Sequence, residues 1–410
     1  MDQVDVLIVG GGPAGLATAA AAKGGSVLLV HKDAEIGRPV RTSGGSWLKD
    51  VVRLGLPPEL YHVVNSLVFA GPTRSANFTF ARNQPVVLDI TGTYKYLGAL
   101  AEKAGAKIEL STTLTGVEVE PGGRYRCTLQ HKGVTRQLSA RYVVDASGFQ
   151  RAVLRRTGIE EKSTRYGIGA EAEYEDLSDH KDRAILFVGS RYAPAGYGWV
   201  FPTTHGTVRI GVGVTRPEVQ ASPAKLLADF IASDAAQELG LKVGKLLEEH
   251  GGAVPAIGPS RQVVYGNIMA VGDSAGQVLP IVGEGIRFCI QAGREAGAAL
   301  NSALREPAAA QQALNKYERW WLRSHYKQFQ FAQVINRRIT EFKDKDWDAG
   351  VDRLALLDGE MMSTLLRVDP LPWALTRYLA RHPVPALRYI ESRLRRRLLN
   401  RIRRNPVNPV

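Results

Sequence analysis

The sequence predicts a mixed α/β fold in which a parallel, dinucleotide-holding sheet is interleaved with a second β-sheet and followed by a helical C-terminal region. Three observations carry this expectation. A glycine turn, Gly10-Gly-Gly-Pro-Ala-Gly15, lies between an apolar run and an alanine-rich stretch; two later apolar runs end in small-residue turns, at Asp145 and at Asp273; and an aromatic segment, Tyr197 to Pro202, lies between them.

The first element is the run Asp5 to Val9, a strand buried on both sides. The glycines at positions 10, 12 and 15 allow the chain to turn sharply, to approach a pyrophosphate closely and to pack the next helix on the sheet. That helix is expected over Leu16 to Lys23, with the phosphate at its N-terminus, and Val27 to Val30 forms the second strand. An acidic residue would ordinarily end this strand and accept the ribose hydroxyls, but here the chain has His31, followed by Lys32 and Asp33. A neutral imidazole can make one such bond, and Asp33 can reach in its place. His31 and Lys32 are therefore candidate cofactor contacts.

The second and third turns decide the cofactor. Tyr142 to Asp145 is a strand running into Ala-Ser-Gly148, and Asn267 to Gly272 is a strand running into Asp273. A carboxylate at such a strand end suits a ribityl hydroxyl, and Pro280 to Ile286, with Gly283 and Gly285, opens a long helix whose N–H groups suit a flavin's pyrimidine edge. Three such segments in this order resemble the FAD-binding arrangement of the para-hydroxybenzoate hydroxylase fold, a Rossmann-like FAD-binding domain. Asp145, Gly148, Asp273, Gly283, Gly285 and Ile286 join the glycines at 10, 12 and 15 as candidate FAD contacts.

Taken with Glu35-Ile-Gly-Arg-Pro-Val-Arg41, Tyr197-Gly-Trp-Val-Phe-Pro202, Gly211-Val-Gly213, Gly251 to Pro259 and Gly283-Glu-Gly-Ile286, the chain resembles the geranylgeranyl reductase family over residues 1 to about 330. The resemblance implies reduction of isoprenoid carbon–carbon double bonds on a lipid, quinone or terpenoid by hydride from reduced FAD. It implies that Tyr197, Trp199, Phe201 and Pro202 border the substrate and that Gly211 and Gly213 allow its close approach. An isoprenoid tail forms no hydrogen bonds, so apolar area at about 25 cal/mol per Å² is what can hold it.

At one place the sequence departs from the family. Where many members carry a cysteine after the Pro-x-Arg segment, this chain has Arg41-Thr42-Ser43-Gly44, without a thiol. Saturating an alkene by hydride requires a proton on the other carbon, and a hydroxyl is a poorer acid than a thiol. Thr42 and Ser43 stand as proton relays from water, with the proton coming from elsewhere as the alternative, and Arg41 as the cation beside the flavin. A monooxygenase acting on a hydrophobic substrate is the other reading of the same fold. A halogenase is disfavoured, because no lysine falls between Phe69 and Gln84. Arg287 is a further flavin-side candidate, whereas His205, Cys289, Trp320 and Trp321 are read as loop or packing residues.

Composition sets the outer limits. The 410 residues carry 44% hydrophobic side chains, enough for a full core, and only two cysteines, far apart, so neither a disulfide framework nor an iron–sulfur cluster is expected. No metal is expected. No apolar run reaches the roughly 18 residues of a spanning helix, which places the protein in the cytoplasm or on a membrane surface. Nine arginines against the single Glu391 between Arg381 and Arg404 concentrate much of the net charge of +13 in one segment. With Leu387, Ile390, Leu394, Leu398 and Ile402 at helical spacing, this segment suits an anionic membrane, and its lack of interleaved aromatics argues against nucleic acid.

The expected division places the FAD-binding domain in residues 1–70, 97–165 and 262–304, the substrate domain in 71–96 and 166–261, and the helical region in 305–410. No second dinucleotide fingerprint is present, so the electron donor, NAD(P)H or a ferredoxin-like protein, is expected to bind transiently.

Overall fold

The computed structural model describes residues 2–159 and 164–369. The mixed α/β architecture follows the expectation. Among the described residues, an eight-stranded sheet has the core order Val264–Tyr265, Ile268–Ala270, Val134–Asp145, Asp2–Val9, Val27–Val30, Lys107–Glu109, with Thr112–Val119 and Tyr125–His131 attached as an antiparallel meander. From Ile268–Ala270 to Lys107–Glu109 the pairing is parallel. Parallel sheets are covered on both faces, so their strands are continuously apolar; Val6, Leu7 and Ile8 are fully buried.

The helix after the first strand begins at Pro13, three residues earlier than expected, and spans Pro13–Ala21. Proline fixes a helical φ and lacks only an N–H that the first turn leaves unpaired, so it suits this position. The long helix Ile286–Arg305 crosses it closely: a Cβ on Gly293 would meet the Ala14 carbonyl oxygen at 2.4 Å, and one on Gly297 would meet Ala21 Cβ at 2.6 Å.

The second sheet has seven strands in the order Val243–Pro255, Tyr166–Asp176, Thr207–Arg216, Ala193–Pro202, Arg183–Gly189, Ser66–Ala70, Ser75–Thr79. Its pairing is antiparallel except between Arg183–Gly189 and Ser66–Ala70. Two details differ from the expected division. Ser66–Ala70, placed with the first sheet, already pairs in the second, where Leu67 and Phe69 point into its core. Pro85–Leu88, placed in the second sheet, instead joins Gly45–Trp47 and Tyr61–Val63 in a separate three-stranded sheet.

One face of the seven-stranded sheet is closed by the amphipathic helix Pro223–Ile231, with Phe230 stacked on Phe187 at 3.9 Å. The other face looks toward the helices Lys327–Ile339, Asp344–Leu354 and Gly359–Arg367. These follow Ala310–Trp321 after a wide turn, Leu322–Tyr326, with Trp321 buried and its indole N–H donating to the Ser260 carbonyl at 2.8 Å. No helix among the described residues is long and apolar enough to cross a membrane. The basic segment Arg381 to Arg404 lies outside the described residues.

Candidate active site

The glycine turn has the shape a dinucleotide needs. Gly10 has a φ of +119°, and a Cβ there would lie 2.2 Å from the Ala146 carbonyl oxygen; one on Gly15 would lie 2.0 Å from the Gly10 carbonyl oxygen. These two glycines are required by the turn itself. Gly12 differs: a Cβ there meets nothing within 4 Å, and it precedes a helix N-terminus without a side-chain cap. Open space in front of unpaired N–H groups fits a pyrophosphate. Asp273, at the second strand end, has a Cys289 thiol contact at 3.9 Å, and removal from water pushes its carboxyl up to about 6. A carboxylate so placed fits a ribityl hydroxyl. Gly285, the uncapped start of Ile286–Arg305, lies near it, a Cβ there standing 3.5 Å from Asp273 Oδ1, and Gly283 just before it has a φ of +61°. The residues present therefore fit FAD.

Two expected cofactor contacts, Asp145 and His31, are occupied otherwise. Asp145 is fully buried and accepts from the Ser147 N–H and hydroxyl at 3.1 and 2.6 Å and from the Val153 and Leu154 N–H groups at 2.9 and 3.0 Å. Its carboxylate caps its own turn and leaves no lone pair for a ligand; Gly148 beyond it remains open, with a φ of +68°. His31 uses Nδ1 to accept the Gly11 N–H at 3.1 Å and points Nε2 toward Asp33 at 3.3 Å, and burial lowers its pKa. Both ring nitrogens of His31 are thus engaged within the protein, and the acid at this strand end is Asp33.

Arg41 does not stand free beside a ring position. Its guanidinium is bidentate on Asp33, at 2.7 and 3.1 Å, and Lys32 reaches the same carboxylate at 2.9 Å. Partial burial opposes ionisation of Asp33, but these two cations outweigh it and hold the carboxyl at about 2. Opposite charge explains the arrangement.

Thr42 and Ser43 enter the wall of a cavity of about 390 Å³. Their loop is held by the buried Arg209, whose guanidinium pairs with Glu173 at 2.8 Å and donates to the Ser43 and Leu88 carbonyls at 3.3 Å. Across from it, Gly252 is packed so tightly that a Cβ would lie 2.2 Å from the Arg41 carbonyl oxygen. Pro280 to Gly283 close the same end, and Tyr197 donates its hydroxyl to the Val282 carbonyl. The rest of the cavity wall includes Trp199, Leu186 and Phe69 of the sheet face and Ile335, Ile339, Trp347 and Leu365 of the C-terminal helices.

Trp199 and Tyr197 lie in this wall as expected, as does Gly213, but Phe201, Pro202 and Gly211 do not. Phe201 packs against Gly45, 3.2 Å from where a Cβ on that glycine would stand. Gly211 makes room for a side chain rather than for substrate: a Cβ there would lie 2.2 Å from Trp199 Cζ2, so the indole fills the space itself. Laid across Gly211, Trp199 donates Nε1–H to Glu171 Oε2 at 2.6 Å, and Glu171 Oε1 accepts from His250 Nδ1 at 2.9 Å. Glu171 and His250 also line the cavity. Sequence reasoning missed both. The available signal was the strand Tyr166–Asp176, in which Glu171 and Glu173 occupy inward positions two apart.

Arg287 is engaged with acids rather than with solvent. It is buried, pairs with Glu284 at 2.7 Å and Asp50 at 3.4 Å, and sits over the Phe288 ring at 4.0 Å. Arg367 also pairs with Asp50, and the Ser46 hydroxyl donates to Glu284 at 3.1 Å. His205 is a loop residue, 62% exposed at its side chain, and Cys289 is packed in the core.

Comparison with known proteins agrees with this geometry. Residues 5–176 match the family described as FAD dependent oxidoreductase, and residues 166–254 match the geranylgeranyl reductase catalytic domain. The digeranylgeranylglycerophospholipid reductase of Methanocaldococcus jannaschii is 30% identical over 87% of this chain and 92% of its own. One from Methanococcoides burtonii is 30% identical over 85% and 86%. Among solved structures, a geranylgeranyl bacteriochlorophyll reductase-like protein from Thermoplasma acidophilum shares the fold with a TM-score of 0.80, at 24% identity over 96% of this chain and 99% of that one. A flavin-dependent brominase shares it less closely, with a TM-score of 0.67 over 89% and 93% at 18% identity. An FAD-shaped glycine turn, a long apolar cavity and these relatives lead to one conclusion: the chain belongs to the geranylgeranyl reductase family of FAD-dependent oxidoreductases.

Proposed function

We propose that the protein saturates carbon–carbon double bonds in the isoprenoid chain of a lipid. The observation that carries this reading is the cavity, whose walls are mostly apolar, formed by Phe69, Leu186 and Trp199 of the sheet and Ile335, Ile339, Trp347 and Leu365 of the C-terminal helices. Such a channel can hold a hydrocarbon chain by shape and area and present one segment of it to the reacting end. The relatives' names, reductases of digeranylgeranylglycerophospholipids, support an ether-linked geranylgeranyl chain as the substrate class.

Gly10, Gly12 and Gly15 with the N-terminus of Pro13–Ala21 would hold the pyrophosphate, Asp273 the ribityl chain, and the turn at Gly283 to Ile286 the flavin edge. When bound and reduced, FAD supplies the hydride. The chain itself supplies the apolar walls, the exclusion of water by Trp199 and the C-terminal helices, and the fixed position of the loop at Thr42 and Ser43. Electrons enter through a transient donor, either NAD(P)H or a ferredoxin-like protein, which the single dinucleotide turn favours. Membrane contact through Arg381 to Arg404 rests on charge and pattern in the sequence.

A cavity-filling substitution tests the substrate class. The nearest atom to a Cβ on Gly213 is Trp199 Cζ3, at 3.5 Å, so leucine there fits the sheet and projects into the channel. Gly213→Leu is expected to raise KM for a geranylgeranyl lipid by about tenfold or more, with less effect on a two-isoprene substrate. Equal effects on both lengths, or none on either, would remove the channel from the reading.

A further inference from the structure

One row of residues runs across the seven-stranded sheet on its cavity face. His250 stands opposite Glu171, Glu171 opposite Gly211, Gly211 opposite Trp199, Trp199 opposite Leu186 and Leu186 opposite Phe69. Four of these six are apolar or glycine. The remaining two are a carboxylate and an imidazole, each under a tenth exposed, in the cavity wall; His250 stands two residues along the strand from Gly252, which packs on the Arg41 carbonyl.

A buried charged pair is a poor way to stabilise a sheet, because desolvation offsets its attraction. Trp199 needs an acceptor for its indole N–H, yet a neutral amide would provide one. The pair is better explained by proton chemistry. Among the described lining residues, the ionisable side chains are Arg41, Glu171, Tyr197 and His250. Arg41 is permanently charged and held by Asp33. The Tyr197 hydroxyl is committed to the Val282 carbonyl, and burial pushes its pKa up. Glu171 and His250 remain.

The pair also reaches solvent. His250 Nε2 lies 3.4 Å from Glu248 Oε2, and Glu248, whose side chain is 34% exposed, is paired with the exposed Arg38. This gives an ordered series from the surface to the cavity: Glu248, His250, Glu171. Burial disfavours the imidazolium, but Glu171 and Glu248 outweigh it, and the His250 pKa is raised even against the opposing charge of Arg209. Glu173 is the other acid on this face, and it is neutralised by Arg209.

We propose that Glu171 is the proton donor to the alkene, loaded through His250 from Glu248, in place of the thiol that this chain lacks at Thr42 and Ser43. The inference rests on the reductase reading. A hydride adds to one alkene carbon, and the proton that passes from His250 Nδ1 to the Glu171 carboxyl is given to the other carbon. The product gains two hydrogens, Glu171 returns to the carboxylate, and Nε2 takes a proton from the solvent side through Glu248. Glu248 and His250 are positioning and relay residues, and Trp199 Nε1–H fixes the carboxyl in the wall.

The test uses the full-length FAD-loaded protein. Single-turnover reoxidation of the dithionite-reduced enzyme by a geranylgeranyl lipid, without oxygen, is compared for wild type, Glu171→Gln and His250→Gln across pH 5 to 9. Glu171→Gln is expected to slow the step roughly a hundredfold or more. The wild-type rate should fall as pH rises through the His250 pKa, and His250→Gln should lose that limb. In a second readout, nitrogen NMR of histidine-labelled oxidised protein should show His250 remaining protonated above pH 6.5, and Glu171→Gln should lower its titration. Reoxidation of Glu171→Gln within threefold of wild type, or a His250 that is neutral at pH 6.5, would overturn the assignment. Failure of the reductase reading looks different, since wild type itself would not be reoxidised, and the histidine titration would still show whether the pair holds a proton.

Discussion

Asp50→Ala is expected to destabilise the protein by about 3–5 kcal/mol, the usual cost of removing one partner from a buried ion pair. Asp50 lies on the short helix Leu48–Arg53 with its side chain 4% exposed, between the guanidinium groups of Arg287 and Arg367, themselves 5% and 11% exposed. Alanine would leave two cations buried with fewer counter-charges, because Arg287 keeps Glu284 and Arg367 keeps Asp369. The cluster ties three distant parts of the chain: the three-stranded sheet through Ser46, the start of the long helix through Glu284 and Arg287, and the last described helix through Arg367. Chemical denaturation of the FAD-loaded protein, followed by tryptophan fluorescence, measures the change. A loss below about 1 kcal/mol would mean that water or rearrangement already screens these charges.

Gly12→Val is expected to abolish FAD binding, by about a hundredfold or more in affinity, while leaving the fold intact. The backbone at Gly12 has φ −83° and ψ 179°, which valine adopts readily, and the space beyond is open. Added carbons would occupy the place where the pyrophosphate approaches the helix N-terminus. Gly10→Ala is the contrast: at φ +119° and 2.2 Å from the Ala146 carbonyl oxygen, its Cβ disturbs the turn itself, so cofactor and stability should be lost together. Titration of cofactor-stripped protein with FAD, beside a melting curve, separates the two outcomes. Gly12→Val that retains wild-type FAD affinity would show that the cofactor does not lie against this turn.

Local signals made the first sheet legible, because a buried strand, a glycine turn and a small-residue helix occupy adjacent positions in the chain. The fold class and FAD followed from such signals, and the family resemblance carried by the Tyr197 to Pro202 motif pointed to Tyr197 and Trp199. What stayed hidden depends on pairing between distant strands. Asp145 looks like a ligand group until the N–H groups of Val153 and Leu154 fold back onto it. Gly211 looks like room for substrate until the Trp199 ring from the next strand fills it. Glu171 and His250 are 79 residues apart, and only the register of Tyr166–Asp176 with Val243–Pro255 places them opposite each other. Arg41 was expected as the cation beside the flavin, and it is Asp33 that decides where its charge points.

The central claim is that the apolar channel presents an isoprenoid double bond for saturation, and one anaerobic experiment tests it most directly. The purified yellow protein is reduced with dithionite, a geranylgeranyl lipid is added, and the visible flavin band is followed together with the mass of the product. Return of the oxidised band without oxygen, with a gain of two mass units for each double bond consumed, is the expected result. A band that returns only when air is admitted, with a product sixteen units heavier, would contradict the claim and make the protein a monooxygenase.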